Sequence, residues 1–140
     1  MIVVDANVAI RWSFEMEWSD KAENILRSKV PIIVPDLIIP ELANALVFKL
    51  KNRADRVTRA SDCLELVPRW FTEIVPSMPL RYRAFSLGIE LDHPAYDCFY
   101  LALAEQKHAT FVTTDSHFLR KLHHPTYSAT AVHLAEWRPA

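Results

Sequence analysis

The feature that most constrains the fold is a repeated alternation between short apolar strand patterns and longer helical patterns. The sequence predicts strands at residues 1–5, 30–34, 73–75, 111–113 and 130–134. Helical periodicity between them predicts helices at residues 6–14, 19–28, 37–50, 54–70, 80–91, 95–107 and 116–122, with Ser19 as the N-cap of the second helix. Strands that alternate with helices in this way form parallel sheets that are covered by helices on both faces. We therefore expect an α/β fold, an α/β/α sandwich with a short, mostly parallel central sheet, as one domain over residues 1–140.

Composition excludes several classes of function. Gly88 is the single glycine in 140 residues, so the Gly-rich phosphate loops of Walker and dinucleotide-binding proteins are absent. The net charge of −1 lacks the strongly basic character of a stable nucleic-acid binder, although a transient nucleic-acid substrate remains compatible with it. Hydrophobic residues make up 51% of the chain, which argues against disorder.

Cysteine usage and hydropathy indicate the compartment. Cys63 and Cys98 fall within helical patterns and lack a CxxC spacing, so we expect both to be reduced. The apolar start is only a few residues long and has no basic segment before it, which is unlike a secretion signal. No apolar run approaches the ~18–20 residues of a membrane span. The sequence therefore predicts a cytoplasmic protein.

Four acidic residues stand at the ends of apolar segments. Asp5 and Asp115 follow predicted strands, while Glu41 and Asp97 lie near the starts of predicted helices. Taken singly, each has a structural explanation as a helix N-cap or as a partner of a helix dipole. Together they would repel one another and have raised pKa values unless a cation compensates. Clustered carboxylates favour Mg²⁺ or Mn²⁺ over zinc, and the crevice beyond parallel strands is where α/β proteins bind ligands.

Four segments around these acids resemble the successive motifs of the PIN-domain family. They read IVVDANVA at residues 2–9, PELANAL at residues 40–46, YDCFYLALA at residues 96–104 and VTTDSHF at residues 112–118. The short length and the start at the first strand resemble the VapC-type toxins of toxin–antitoxin pairs. Each motif alone is weak, but their order along the chain is specific.

This resemblance implies a Rossmann-like fold and a Mg²⁺-dependent endoribonuclease, with Mn²⁺ as a substitute metal. It implies that metal binding and catalysis fall to Asp5, Glu41, Asp97 and Asp115, and that cleavage leaves 5′-phosphate and 3′-hydroxyl ends. Asn7 and Thr113 match supporting positions. RNA would be the substrate, an antitoxin protein the cognate partner, and a homodimer the usual assembly. Ser116 and His117 stand where some relatives have a further acid, so one or two metals remain open.

A basic run follows the second acidic motif. Lys49, Lys51 and Arg53 are candidate RNA contacts that could guide the phosphate backbone towards the acids. A solvated helix end is the alternative explanation for these charges. Three further residues, Met78, Phe85 and Leu91, are expected in the core, and His93 is expected to be a loop residue.

Other functions are compatible with parts of this pattern. A PIN-like nuclease of RNA processing would have the same acids without being a toxin. A receiver-like, Mg²⁺-binding signalling module would need an acid pair after the first strand and a lysine after the last one, whereas Asp5 stands alone and Ala135 follows Leu134. A purely structural interaction protein is disfavoured by the cost of placing four acids together.

Overall fold

A parallel sheet forms the centre of the molecule. The computed structural model describes residues 1–51, 53–128 and 130–140, and within them the sheet has five strands: β1 (Ile2–Val4), β2 (Ile32–Pro35), β3 (Glu73–Val75), β4 (Thr110–Thr113) and β5 (Ala131–His133). Their order is β3-β2-β1-β4-β5, and all neighbouring pairs are parallel. In the centre of the sheet, Val3 of β1 pairs with Ile33 on one side and Phe111 on the other.

Helices cover this sheet. They are α1 (Ala6–Ala9), α2 (Ser19–Ser28), α3 (Ile38–Leu50), α4 (Val57–Trp70), α5 (Arg81–Leu91), α6 (Ala95–Lys107), α7 (Ser116–Arg120) and α8 (Pro125–Ser128). Helix α6 lies against β1, β2 and β4 and packs on α5, while α3 contacts α1 and α4. The α/β/α sandwich expected from the sequence is confirmed. No helix among the described residues is both long and apolar enough to cross a membrane.

Burial explains the sequence patterns that predicted these elements. All three residues of β1 are buried, as are all four of β2, because helices cover both faces of a parallel sheet. Helix α6 is buried along most of its length, including Cys98 and Tyr100 through Ala104, and this explains why it is apolar almost all round. The core therefore surrounds β1, β4 and α6.

Two local expectations near the N-terminus are wrong. The helix expected over residues 6–14 is α1 followed by a 3₁₀ turn at Ile10–Trp12. Ser19 does not cap α2, because its hydroxyl accepts from the Met16 amide and donates to the Phe14 carbonyl in the preceding loop. Trp18 takes the N-cap position instead, with a φ of 65°.

Two residues expected in the core are exposed. Met78 is 68% exposed and Phe85 is 65% exposed. The buried side of α5 carries Ala84 and Leu87 instead, so the side chain of Phe85 lies on the outer side of this helix. Apolar character alone did not reveal which side of α5 faces the core.

The chain changes direction across the sheet between β1 and β4. From β1 the chain forms β2 and then β3 on one side of β1. It then crosses to the other side of β1, where it forms β4 and β5. In open parallel sheets the crevice at such a reversal, outside the carboxyl ends of the strands, is the usual ligand site. Asp5 follows β1 and Asp115 follows β4, so both acids lie at this reversal.

Candidate active site

A cleft of about 580 Å³ opens at the reversal point. Three of the four acids line it: Asp5 from the end of β1, Glu41 from the first turns of α3 and Asp97 from the first turn of α6. Asn7 and Lys49 also line the cleft. Residues that are 92 positions apart in the chain are thus brought to one surface by the parallel sheet and by the helices on it.

Asp5 is the most buried of these acids, with 3% of its surface exposed. One carboxylate oxygen accepts a hydrogen bond from the Val8 amide at 3.1 Å, which caps α1, and the other accepts from the Thr113 hydroxyl at 2.5 Å. The pKa of Asp5 is raised to about 7, mainly by burial and to a smaller extent by the nearby charges of Asp97 and Glu41, while the two hydrogen bonds oppose this rise. Asp5 therefore does cap α1, as one interpretation of the sequence had it, but the cap does not offset the cost of burying its charge.

Thr113 connects two of the acids. Its side chain is fully buried at the end of β4, donates to Asp5 and accepts from the Asp115 amide at 3.1 Å. Asp115 in turn caps α7 by accepting from the Phe118 amide at 2.9 Å. Asp115 is absent from the lining of the cleft, and its charge acts on Asp97.

Glu41 is oriented by a tyrosine from α6. Its carboxylate accepts a hydrogen bond from the Tyr100 hydroxyl at 2.6 Å. The Tyr100 ring is fully buried and stacks on Phe111 of β4, with ring centroids 5.6 Å apart. Burial is the main cause that raises the pKa of Glu41, and the charge of Asp97 adds to it. Tyr100 therefore holds the carboxylate at the cleft without neutralising it.

Asp97 interacts with Asp5 and Glu41 in the cleft and also with Asp115. Burial raises its pKa, a hydrogen bond from His93 opposes this, and the charge of Asp115 raises it again. The His93 Nε2 lies 2.6 Å from Oδ2 of Asp97. Single donor atoms of His93, Asp97 and Asp115 all lie within 4.8 Å of one another. Asp97 thus faces Asp5 and Glu41 across the cleft and Asp115 on its other side.

The donor set fits a hard divalent cation. Carboxylate oxygens are the ligands that Mg²⁺ and Mn²⁺ prefer. Burial raises the pKa of three neighbouring carboxyl groups, and a bound cation would favour their charged forms. The residues that could hold it are Asp5, Glu41, Asp97 and, through its proximity to Asp97, Asp115.

The other candidate residues are distributed unevenly around this cleft. Asn7 is exposed on α1 and lies on the cleft wall, whereas Thr113 acts from beneath it. Lys49 lines the cleft, while Lys51 and Arg53 are exposed beyond the end of α3 and are not among the described residues that line it. Lys49 is therefore the residue of the basic run that lies at the site.

Sequence reasoning missed two residues that contact the acids. Tyr100 lies within a recognised motif, but nothing in its spacing indicated a hydrogen bond to Glu41, which is 59 positions away. His93 was interpreted as an ordinary loop residue. Its i, i+4 spacing to Asp97 was a usable signal, because such pairs meet on one side of a helix start.

Comparisons with known proteins concern the family and the fold. The family model described as PIN domain matches residues 2–122. The search of curated proteins found no significant match.

Several solved structures share the fold. PAE2754 from Pyrobaculum aerophilum has a TM-score of 0.70 at 23% identity, with 96% of this chain and 83% of that chain covered. FitAcB from Neisseria gonorrhoeae has a TM-score of 0.67 at 15% identity, with 98% and 100% covered. VapC20 from Mycobacterium tuberculosis, described as a sarcin-ricin loop cleaving toxin, has a TM-score of 0.64 at 14% identity, with 100% and 98% covered.

Proposed function

Because the chain belongs to the PIN domain family, we propose that it is a Mg²⁺-dependent endoribonuclease that hydrolyses RNA phosphodiester bonds. The observation that carries this proposal is the meeting of Asp5, Glu41 and Asp97 in one cleft, where burial raises the pKa of all three. One buried and two half-buried acids this close together would destabilise the fold without a cation, so their clustering needs a functional explanation. Membership of the PIN family also removes the receiver-like signalling module from consideration.

Asp5 and Asp97 are the proposed principal ligands of the cation, with Mn²⁺ as a substitute. Both lie on rigid elements, since Asp5 is held by Val8 and Thr113, and Asp97 lies in the first turn of buried α6. Each carboxylate oxygen has a second lone pair that these hydrogen bonds leave available. When bound, Mg²⁺ supplies an activated water and neutralises charge that develops on the phosphate.

Glu41 and Asp115 complete the proposed machinery. The raised pKa of Glu41 makes it a stronger base than an ordinary glutamate, so it suits the removal of a proton from the attacking water. The Tyr100 hydrogen bond occupies Oε2 and leaves Oε1 for that proton. Asp115 supports the site through the shared Thr113 hydroxyl and through its charge beside Asp97.

RNA is the proposed substrate, and Lys49 is its first cationic contact. Lys49 lines the same cleft as the acids, and the exposed Lys51 and Arg53 extend the positive charge beyond it. A short basic track beside an acidic centre would bind phosphates weakly and reversibly, as turnover requires. The amides of Asn7 and Asn44 on the cleft wall offer further hydrogen bonds to RNA.

We further propose that the enzyme is the toxin of a cytoplasmic toxin–antitoxin pair. The support is the resemblance to VapC-type proteins and the fold shared with VapC20, which is described as a toxin, and with FitAB, which was solved bound to a DNA fragment. The partner would be a cognate antitoxin protein, and the active assembly a homodimer. A nuclease of RNA processing with the same site is the competing function.

Mapping of RNA 5′ ends after expression in a bacterial host tests the proposal. The wild type should create new 5′-phosphate ends and arrest growth. Asp97→Asn should reduce cleavage at those sites at least about 100-fold, because mutation of a residue that only hydrogen-bonds to a metal ligand already costs about 10–100-fold in activity. Asp62→Asn removes an exposed carboxylate on α4 and should leave cleavage unchanged.

Full cleavage by Asp97→Asn would contradict the proposed mechanism. Cleavage by purified wild type without growth arrest in any expressing host would favour the RNA-processing nuclease over the toxin. These two results are separable, since the first concerns chemistry and the second concerns biological role.

A further inference from the structure

His93 lies in the connection between α5 and α6, yet its side chain is only 4% exposed. Nε2 of the imidazole lies 2.6 Å from Oδ2 of Asp97. The other ring nitrogen, Nδ1, is buried and has no hydrogen-bond partner among the described residues. A polar ring buried beside a proposed metal ligand calls for a specific role.

The orphaned Nδ1 indicates which nitrogen carries the proton. A proton on Nδ1 would be an N–H group buried without an acceptor, which is rare and costly. A bare Nδ1 leaves only a lone pair unsatisfied, and Nε2–H then donates to Asp97. The geometry therefore assigns Nε2 as a donor, so it has no lone pair to offer a cation.

The distance supports the same assignment. Donor atoms of His93, Asp97 and Asp115 lie close enough to suggest a three-residue metal site. However, two adjacent ligands on an octahedral cation with bonds of about 2.1 Å stand about 3.0 Å apart. The separation of 2.6 Å between His93 and Asp97 is shorter than this and matches a charge-assisted hydrogen bond.

The connection that carries His93 is fixed by packing. The His93 amide donates to the Gly88 carbonyl at 3.0 Å, and Lys121 donates to the Asp92 carbonyl. A Cβ on Gly88 would lie 3.1 Å from the His93 carbonyl oxygen, so the single glycine of the chain permits this close approach. The His93 ring also packs on Phe118, with ring centroids 4.7 Å apart.

We propose that His93 is a positioning residue that holds Asp97 in its cation-binding orientation by hydrogen bonding and is not itself a ligand. This inference rests on the proposed function, because it requires a cation at Asp97. The hydrogen bond occupies Oδ2 and leaves Oδ1 of Asp97 as the oxygen for the cation. Hydrogen-bonded partners of this kind orient metal ligands and raise their affinity.

Two substitutions of His93 separate hydrogen bonding from packing. His93→Leu removes the donor and keeps an apolar side chain, whereas His93→Gln can place an amide N–H near the position of Nε2. We expect calorimetric titration with Mn²⁺ to show affinity about 10–100-fold weaker for His93→Leu, with most of the loss recovered in His93→Gln. His123→Leu is the matched control, since His123 is exposed and belongs neither to the lining of the cleft nor to the cluster of His93, Asp97 and Asp115, and the affinity of this variant should equal that of the wild type.

Spectroscopy of Mn²⁺ bound to the wild type tests the second half of the proposal. Electron spin-echo measurements should show no directly bonded imidazole nitrogen. A bonded nitrogen that disappears in His93→Leu would overturn the donor assignment. Unchanged Mn²⁺ affinity in His93→Leu would overturn the positioning role, as would equal losses in His93→Leu and His93→Gln.

Asp97→Asn distinguishes this inference from the proposed function. If Asp97→Asn binds Mn²⁺ as tightly as the wild type, the metal site itself is wrong. If Asp97→Asn abolishes binding while His93→Leu leaves it unchanged, only the role of His93 is wrong. Thermal unfolding of each variant identifies any that fails to fold, and His93→Ala then serves as the smaller substitution that removes the same donor.

Discussion

At the scale of single residues, Asp5 shows how the candidate site opposes the stability of the fold. Its carboxyl group is 3% exposed, and burial raises its pKa to about 7. The unfolded chain would ionise this group near pH 3.9. Between these two values the folded protein binds more protons than the unfolded chain, so this group's stabilising effect is complete below about pH 4 and is lost as the pH rises to about 7.

Asp5→Asn should therefore stabilise the metal-free protein at neutral pH. Asparagine is uncharged, keeps the oxygen that caps α1 at the Val8 amide, and avoids burying a charge. In urea unfolding with a chelator present, we expect a gain of at most a few kcal/mol at pH 7.5 that shrinks towards pH 4. A lower free energy of unfolding for Asp5→Asn at pH 7.5 would contradict this account.

At the scale of secondary-structure elements, several helices end without the glycine that usually occupies a left-handed position. Lys29, Asp92 and His108 have φ values of 57°, 49° and 52° at the ends of α2, α5 and α6. A side chain in this conformation is strained, and glycine is not. The scarcity of glycine in the sequence thus carries a cost at helix ends.

Lys29→Gly should stabilise the protein. Glycine relieves the left-handed strain of the folded state but also raises the conformational entropy of the unfolded chain. The first effect is larger, so the free energy of unfolding should rise by about 0.5–1 kcal/mol. Lys21→Gly, in the interior of the same helix, is the matched control and should lower it by about 1 kcal/mol. Chemical denaturation measures both, and destabilisation by Lys29→Gly would show that strain at this position is negligible.

The elements also show what the sequence could and could not predict. Helices α2 and α6 have the bounds that the patterns indicated. Helix α2 buries one side, which leaves a clear helical periodicity, and α6 is a long apolar run that begins directly after the proline of the expected break between two helices. The reversal of strand order between β1 and β4 depends on packing between distant segments and was not predicted. The contacts of Tyr100 with Glu41 and of His93 with Asp97 depend on the same packing, so only the acids themselves were found.

At the scale of the whole molecule, an exposed apolar face on α5 supports the proposed homodimer. Tyr82, Phe85 and Ile89 are 73%, 65% and 71% exposed and share one side of the helix by their i, i+3, i+7 spacing. A two-fold axis beside α5 would bring this face against its own copy, as most homodimers do with a self-complementary patch. Such a contact would bury Phe85, which the sequence placed in the core.

Phe85→Glu should convert the dimer to a monomer. A charged side chain would oppose its own copy across the two-fold axis and would lose the buried aromatic surface. Sedimentation equilibrium should show the wild type as a dimer and Phe85→Glu as a monomer. Leu64→Glu is the control, because Leu64 is an exposed apolar residue on α4, and this variant should remain a dimer. A monomeric wild type at high concentration would contradict the proposed homodimer.

The proposed function requires the acids to act as one cation pocket, and proton release on metal binding tests this requirement most directly. With the pKa of Asp5 at about 7, roughly half of the molecules carry its proton at pH 7, and Mn²⁺ or Mg²⁺ must displace it. Calorimetry at pH 7 in two buffers of different ionisation enthalpy should therefore show metal binding with release of about half a proton or more per protein, and Asp97→Asn should abolish the binding. Metal binding to the wild type without proton release, or metal binding that is unchanged in Asp97→Asn, would contradict the proposed cation pocket, as would the absence of binding to the wild type.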